Sequence, residues 1–267
     1  MIWSNRSLKN EVEKEKKAYD TILIKEEGIF PYSTRMGYGD RKRINFILGL
    51  TILHIVKLRV ENISILDVGC SDSYFLSRIT QSTKNLNGIR IDVAPKILKK
   101  AIEASKKLSK PSLNLNYILN NGENLSFKEC SFDIVICMQV LEHVLSPTKI
   151  VSEIYRVLRN NGILIVSIPL VNFLGAYFSK KQHSKCSQHV REYSYSGIFQ
   201  TEPISRLITD LKNIGFSQIQ LYNPNLFHLP SIETQKGIPI MVELKLEELV
   251  PISFTGHHVV IKALKNE

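Results

Sequence analysis

Short apolar runs alternate with amphipathic stretches along most of this 267-residue chain, beginning near residue 63. The β-branched runs are too short for helices, and between them apolar residues recur at helical spacing. This pattern predicts strands at 63–68, 88–92, 114–120, 132–138, 162–168, 217–223 and 257–264, and helices at 73–81, 95–108, 146–159 and 203–214. Steady alternation of strand and helix indicates a doubly wound α/β fold, with a parallel sheet and helices on both faces.

The N-terminal part of the chain has a different pattern. Residues 8–27 mix Glu and Lys at helical spacing, and residues 30–43 form a Pro- and Gly-containing stretch, which predicts a solvated helix followed by a loop. Residues 44–58 are apolar enough for a buried helix. We therefore expect an N-terminal helical arm and lid at 1–59 and a main domain at 60–267, with insertions at 170–200 and 224–256.

Composition places the chain among globular proteins and leaves its ligand open. The 35 Lys and Arg residues exceed the 25 Asp and Glu residues by ten, a bias that attracts phosphate, anionic lipid or acidic small molecules without choosing among them. The four cysteines show no C-x-x-C spacing, and no apolar stretch reaches the roughly 20 residues that a membrane span needs. The first residues lack the apolar core of a signal peptide, so we predict a cytoplasmic protein without a membrane span.

The turn after the first predicted strand is the first candidate for a ligand site. In an open parallel sheet, ligands bind at the carboxyl ends of the strands, near the point where strand order reverses. Here the turn reads Leu-Asp-Val-Gly-Cys-Ser over residues 66–71, and Gly69 permits a sharp bend that a ligand can approach closely. The alternative is a glycine that serves only the turn. The G-x-G-x-x-G spacing of dinucleotide-binding dehydrogenases is absent from this turn, which disfavours that class.

The second predicted strand ends in an acid. Asp92 lies 23 residues after Gly69, and a carboxylate at a strand end can accept two hydrogen bonds from ribose hydroxyls. This spacing favours a ribose-bearing cofactor. The competing interpretation is an acid that caps the helix beginning near Pro95.

Six segments resemble, in this order and spacing, the class I S-adenosylmethionine-dependent methyltransferases of type 11, the group that includes quinone-biosynthesis and many small-molecule methyltransferases. They are ILDVGCSDSYF (65–75), IDVAPKIL (91–98), NNGENLSF (120–127), SFDIVICMQVLEHV (131–144), EIYRVLRNNGILIVSIP (153–169) and HVREYS (189–194). The resemblance implies a seven-stranded, doubly wound Rossmann-like sheet with an antiparallel last strand. It also implies S-adenosylmethionine as cofactor and methyl transfer by direct displacement to a small-molecule, lipid-linked or sugar-like acceptor.

The resemblance also assigns residues to the cofactor, which we expect to lie across the strand ends. Asp67, Gly69 and Ser71, with Cys70 between them, would lie along the methionine part. Asp92 would hold the ribose, with Val93 next to it. The adenine would meet Asn121, Gly122 and Glu123, and the methyl-bearing sulfur would lie beside Met138 and Gln139. The chain departs from the family pattern at Ser71, Ser73 and Arg90, where glycine is usual, and at Asn121, where Asp is usual. A relative that keeps the fold without binding the cofactor is therefore an alternative.

Direct displacement asks chiefly for alignment and exclusion of water, and it needs a base only if the nucleophile arrives protonated. Candidate bases are His143 and His189, each of which can titrate near neutrality, although the favoured alternative for His143 is that it organises its loop. The resemblance places Arg191 and Tyr193 beside the acceptor. The H-x-x-C-x-x-H spacing of residues 183–189 could gather three zinc ligands, but no fourth is evident, and we predict no metal.

Charge placement bears on the acceptor. Residues 31–45 contain four cations and one acid, as do residues 170–200, so each segment carries a net charge of +3. We expect both segments over the strand ends, which predicts an acidic acceptor or carrier group; solvated loop charge is the alternative. Two rival functions stay open, namely RNA methylation and a non-catalytic protein that binds another chain through its N-terminal helix or residues 224–256. The oligomeric state is left open as well.

Overall fold

A computed structural model describes residues 38–70, 75–76, 79, 85–108, 114–144, 146–169, 204–223 and 258–266 of the chain. Seven strands and four α-helices lie in these ranges. The helices are α1 (Tyr38–Leu58), α2 (Pro95–Leu108), α3 (Pro147–Val157) and α4 (Ile204–Ile214). The strands are β1 (Ile63–Val68), β2 (Leu86–Asp92), β3 (Asn114–Leu119), β4 (Phe132–Met138), β5 (Leu158–Pro169), β6 (Phe216–Tyr222) and β7 (His258–Lys265).

The strands form one sheet in the order β3-β2-β1-β4-β5-β7-β6. Strands β1 to β5 pair in parallel, and β7 runs antiparallel to both β5 and β6. The predicted seven-stranded sheet with an antiparallel last strand is confirmed. Strand order reverses at β1, which lies between β2 and β4, so the carboxyl ends of these strands form the crevice in which such sheets bind ligands.

A hydrophobic core covers each face of the sheet. Successive residues of a strand point to opposite faces, so each buried strand contributes side chains to both cores. On one face Leu66 and Val68 of β1 belong to a core that includes apolar residues of α3 and α4. On the other face Ile63 and Ile65 belong to a core that includes the apolar residues of α1. This arrangement explains why β1 and β4 are buried along nearly their whole length.

Helix α1 begins earlier than predicted. Residues 38–43 were expected to form a loop, but they are the first turns of α1. Glycines at 37 and 39 weaken the local helical signal, whereas packing of the helix on the sheet stabilises it. The ring of Phe46 lies 5.1 Å from that of Tyr222, and Ile47 is fully buried. The described part of the predicted N-terminal arm therefore packs against the sheet; the boundary at residue 59 stays a prediction.

The C-terminal end of α3 is fixed by a buried lysine. The ammonium of Lys265, the last residue of β7, donates to the carbonyl oxygens of Tyr155 and Leu158 at 2.8 Å each. It also lies 4.7 Å from the centre of the Tyr155 ring. A cation in the last turn of a helix satisfies its unpaired carbonyls and opposes its dipole, so Lys265 joins α3 to the sheet.

Two further observations concern the described ranges alone. Cys70, Cys130 and Cys137 are free thiols. Among the helices of the described ranges, none combines the length and the apolar character that a membrane span requires.

Candidate functional site at the strand ends

The turn after β1 is bent at Gly69 and tied to the neighbouring strand. Gly69 has a φ of +69°, and the backbone N–H groups of Gly69 and Cys70 both donate to the carbonyl oxygen of Ile91, at 2.9 and 3.0 Å. A Cβ at Gly69 would lie 2.4 Å from Cγ2 of Val140. Glycine is required here for both the left-handed backbone and the close approach of the β4 end.

Asp92 ends β2 beside this bend. Its side chain is buried, with 9% of its surface exposed, and Oδ1 accepts a hydrogen bond from the backbone N–H of Ala94 at 3.0 Å. Its own carbonyl accepts the N–H of Asn120 at 3.1 Å, which places the β3 end next to it. This bond closes a local turn before Pro95, where α2 begins, and does not reach an N–H of that helix. It is compatible with ribose binding, because a carboxylate has about four acceptor positions.

The loop after β3 holds Asn121, Gly122 and Glu123 against the strand ends. Oδ1 of Asn121 accepts the N–H of Glu123 at 3.0 Å, a local turn that holds the side chain. Gly122 is buried, and a Cβ there would lie 3.3 Å from Cγ1 of Val68, the last residue of β1. The loop predicted to meet the adenine thus contacts the β1 end directly.

Helix α3 fastens the same loop through an ion pair. Oε2 of Glu153 accepts the N–H of Leu125 at 2.8 Å, and the Arg156 guanidinium donates to the carbonyls of Leu125 and Phe127 at 2.9 and 2.8 Å. Arg156 and Glu153 bond to each other at 2.8 Å, which lowers the pKa of Glu153. These bonds fix the path of the loop that follows residues 121–123.

The end of β4 brings Met138 and Gln139 to the crevice. Met138 is partly buried and packs with the core on the α1 side of the sheet. Gln139 has a φ of +53°, its N–H donates to the carbonyl of Ser167 at 2.9 Å, and its side-chain amide donates to the Ser167 hydroxyl at 3.3 Å. These bonds to β5 turn the chain sharply, so the next residue, Val140, lies against Gly69.

A buried carboxyl group follows in the 3-10 turn Leu141–His143. Glu142 is 5% exposed, and burial raises its pKa to about 7 although Arg43 of α1 acts in the opposite direction. Its Oε1 lies 3.9 Å from Nε2 of His143, too far for a hydrogen bond. Burial lowers the pKa of His143 below its ordinary 6.5, so at neutral pH its imidazole is uncharged and able to accept a proton.

Glu142 and Arg43 were not identified from the sequence. Arg43 was counted among the cations of a lid, but only 4% of its surface is exposed and it attracts the Glu142 carboxylate electrostatically. The sequence feature that could have pointed to Glu142 is an acid four residues after the end of a buried strand. That signal is weak, because it shows neither the burial of the acid nor its electrostatic neighbour Arg43, which lies on α1 almost one hundred residues earlier.

Arg90, where the family usually has glycine, is fully buried in β2. Its guanidinium donates to the hydroxyl of Tyr117 and lies 5.0 Å from the centre of that ring, on the strand that pairs with it. Packing against β3 therefore accommodates this departure from the family pattern.

The structure brings the predicted cofactor residues of β1, β2, β4 and the β3 loop to one edge of the sheet. Asp67 is buried at the end of β1, with Cys70 just beyond it and Val93 directly after Asp92. Ser71, His189, Arg191 and Tyr193 lie outside the described residues, as do residues 183–189 with the zinc-like spacing. Within the described ranges, no group of three His, Cys, Asp or Glu side chains is arranged to hold a metal ion.

Comparison with known sequences finds similarity to methyltransferases over the middle of the chain. A family model described as a methyltransferase domain matches residues 66–166. A ubiquinone biosynthesis O-methyltransferase of Rickettsia typhi is 32% identical over 134 residues, which are 49% of this chain and 52% of that protein. A probable S-adenosylmethionine-dependent methyltransferase of Mycolicibacterium smegmatis is 29% identical over 105 residues, 39% of this chain and 37% of that protein. The chain thus spans about half, or less, of these curated relatives.

Comparison with solved structures shows the same fold at low identity. An S-adenosylmethionine-dependent methyltransferase of Thermotoga maritima, a possible histamine N-methyltransferase, has a TM-score of 0.52 at 20% identity over 84% of this chain and 91% of its own. The phosphoethanolamine N-methyltransferase 2 of Haemonchus contortus has a TM-score of 0.52 at 15% identity over 82% and 53%. The [4+2]-cyclase SpnF has a TM-score of 0.54 at 17% identity over 82% and 80%. The predicted architecture is confirmed, and SpnF illustrates that the fold alone does not fix the reaction.

Proposed function

We propose that this chain is an S-adenosylmethionine-dependent methyltransferase that acts on a small-molecule acceptor, because residues 66–166 match a family model described as a methyltransferase domain. The observation that carries the proposal is the pairing of a left-handed glycine bend at the β1 end with a buried carboxylate at the β2 end. Among the relatives, the ubiquinone biosynthesis O-methyltransferases favour a small-molecule acceptor.

The described residues fit this cofactor. The left-handed backbone of Gly69 bends the chain sharply at the β1 end, which suits a close approach of the methionine part. The buried Asp92 carboxylate accepts hydrogen bonds, which suits the ribose hydroxyls. The loop at 121–123 is held against β1 and can face the adenine with backbone groups and an amide. When bound, the cofactor supplies an electrophilic methyl group on a sulfonium.

The role of this chain in the reaction is mainly alignment. Fixed strand ends hold the two reactants in one geometry, which converts a bimolecular step into an effectively unimolecular one. A neutral His143 can accept a proton if the acceptor arrives protonated. We further propose that His189, Arg191 and Tyr193 lie on the acceptor side, that the acceptor is acidic, and that the protein acts in the cytoplasm. The division into an N-terminal arm at 1–59 and a domain at 60–267 is part of the same proposal.

Isothermal titration with S-adenosylmethionine tests the cofactor. We expect the wild type to bind, and Asp92→Asn to bind about ten- to a hundredfold more weakly, because hydrogen bonds to a charged group contribute about 1.5–3 kcal/mol. Glu61→Gln, which removes an equal charge from an exposed position before β1, should bind as the wild type does. Failure of the wild type to bind would refute the enzyme and support a non-catalytic partner protein.

Transfer of label identifies the acceptor. Incubation with methyl-labelled S-adenosylmethionine and fractionated extract of the source cell should label a small-molecule or lipid fraction. Label in the RNA fraction instead would contradict the proposed acceptor class, and a cofactor that binds without labelling any fraction would contradict transfer.

A further inference from the structure

Gln139 has an uncommon backbone conformation at the carboxyl end of β4. Its φ of +53° is left-handed, which costs an L-residue free energy and persists only where the surrounding structure holds it. Two hydrogen bonds to Ser167 of β5 hold it: the backbone N–H donates to the carbonyl oxygen at 2.9 Å, and the side-chain Nε2 donates to the hydroxyl at 3.3 Å. Strained residues of this kind cluster at ligand sites, so Gln139 is a candidate for a direct role in binding.

Ser167 is a polar residue in an apolar part of its strand. It is fully buried, and the other residues of β5 from Ile163 to Ile168 are apolar. A buried hydroxyl needs a hydrogen-bond partner, and the partner here is the side-chain amide of Gln139. The serine is therefore explained by the amide that it orients, because an apolar side chain would suit the packing of this strand better.

The Gln139 amide and the Asp92 carboxylate lie at the same edge and on the same face of the sheet. Side chains alternate between the two faces of a strand. Ser167 follows Ile165 by two residues and Asp92 follows Leu86 by six, and both apolar residues belong to the core that includes α1. Because β1 and β4 lie between β2 and β5, Ser167 is three strand spacings, about 14 Å, from Asp92.

The side chain of Gln139 lies at the crevice, on the side away from the ribose. Gln139 is partly exposed, and the next residue, Val140, lies against the Gly69 bend of β1. The candidate residues for the amino-acid part, the ribose and the adenine lie on β1, β2 and the β3 loop, whereas the Gln139 amide is bonded to β5. Nε2 bonds to Ser167, and within the described part of the chain nothing donates to Oε1. The amide oxygen is therefore placed for the methyl acceptor rather than for the cofactor.

We propose, on the basis of the proposed function, that Oε1 of Gln139 accepts a hydrogen bond from the nucleophilic atom of the methyl acceptor, and that Ser167 is the positioning residue that aims it. An amide oxygen only accepts hydrogen bonds, so the atom that becomes methylated carries a hydrogen, as an amine or a hydroxyl does. This atom forms a bond to the methyl carbon while the carbon–sulfur bond breaks and its electron pair goes to sulfur. The hydrogen held by Gln139 then leaves the product as a proton to water.

Titration calorimetry with S-adenosylmethionine tests on which side the amide acts. Gln139→Met keeps the length of the side chain and removes the amide, and it should bind the cofactor within about threefold of the wild type. Gln218→Met is the matched control, since Gln218 is an exposed glutamine of β6 with a φ of +45°. A loss of more than about tenfold in Gln139→Met alone would overturn the inference by assigning the amide to the cofactor. A wild type that does not bind would overturn the proposed function as well.

Transfer rates are then measured with the extract fraction that acquires label from the wild type. The nucleophile becomes more positive as its new bond forms, so the hydrogen bond to Oε1 strengthens in the transition state. Gln139→Met should therefore lower kcat about tenfold, with the KM for S-adenosylmethionine unchanged. Gln139→Glu keeps an oxygen at this position and should recover most of the loss, and Gln218→Met should transfer at the wild-type rate. Equal rates in the wild type and Gln139→Met, or no recovery in Gln139→Glu, would overturn the role of the amide.

The positioning role of Ser167 gives a separate result. Ser167→Ala should lower kcat about threefold, because the amide oxygen is kept but is no longer aimed. Added to Gln139→Met, it should cause no further loss, because Ser167 acts through the amide. Circular dichroism should show that these variants remain folded at the assay temperature. Additive losses in the double variant would overturn the positioning role, since Ser167 would then affect the rate by a route other than Gln139.

The methylated atom is identified by mass spectrometry of the labelled product. The methyl group should lie on a nitrogen or oxygen that carried a hydrogen in the acceptor. A methyl group on carbon, or on a nitrogen or sulfur that carried no hydrogen, would overturn the inference and leave the proposed methyltransferase intact. A wild type that binds the cofactor but labels no fraction would overturn the proposed function and the inference together.

Discussion

The Gly69 bend can be tested by adding a single methyl group. In Gly69→Ala, the φ of +69° costs an L-residue about 1–2 kcal/mol. The new Cβ would also stand 2.4 Å from Cγ2 of Val140, and displacing that β-branched side chain from its rotamer costs about 0.5–1.5 kcal/mol. The free energy of unfolding should therefore fall by about 1.5–3.5 kcal/mol.

Urea denaturation followed by circular dichroism measures this loss, and a melting temperature about 5–10 °C lower should accompany it. The variant Gly122→Ala is the comparison. Its Cβ would lie 3.3 Å from Val68, and no positive φ is involved, so the loss should stay under about 1 kcal/mol. The two contributions at Gly69 separate in a double-mutant cycle with Val140→Ala, in which only the overlap is relieved.

The cycle should give a coupling free energy of about 0.5–1.5 kcal/mol between residues 69 and 140. A Gly69→Ala protein as stable as the wild type would refute the close approach of the β1 and β4 ends. Strict additivity of the two substitutions would refute the contact with Val140 and leave only the backbone cost.

Three further predictions concern other parts of the structure. Lys265→Met should lower the free energy of unfolding by about 2–4 kcal/mol, because two carbonyls at the end of α3 lose a charged donor. Urea denaturation measures this loss, and an unchanged midpoint would contradict it. Glu153→Ala should weaken S-adenosylmethionine binding about tenfold in calorimetry, because it removes the oxygen that accepts the N–H of Leu125; an unchanged affinity would contradict this. Burial lowers the folded pKa of His54 from 6.5 to about 4, so its contribution to stability is complete above pH 6.5 and is lost as pH falls from 6.5 to 4. The melting temperature of His54→Gln should therefore drop less than that of the wild type as the pH falls over this range. Parallel plots of melting temperature against pH for the two proteins would disprove this.

The bounds predicted most accurately are those of strands and helices whose apolar residues recur at a regular strand or helix spacing. The bounds of β1, β4 and α2 agree with the sequence to the residue. The start of β5 was placed at residue 162, but the strand begins at Leu158. The Asn-Asn-Gly sequence at 160–162 is typical of a helix stop, yet Leu158 already pairs with Phe132 of β4. Pairing with a neighbouring strand, which a local pattern does not contain, decided this boundary.

In the candidate site, too, residues marked by a local pattern were predicted and residues set by long-range packing were not. Gly69 and Asp92 were predictable, because each follows directly from the end of a buried strand. The burial of Glu142 was not, because no local pattern marks it, and Arg43, the cation that acts on its pKa, belongs to α1 far away in the sequence. Long-range packing sets the ionisation of this carboxyl group, and no local spacing reveals it.

A crystal structure of the protein with S-adenosylhomocysteine tests the proposed site most directly. The ribose hydroxyls should lie within hydrogen-bond distance of the Asp92 carboxylate, with the amino-acid part along the Gly69 bend and the adenine beside residues 121–123. Clear electron density for the ligand elsewhere on the protein, or an edge of the sheet filled by packed side chains in its presence, would contradict the proposed site.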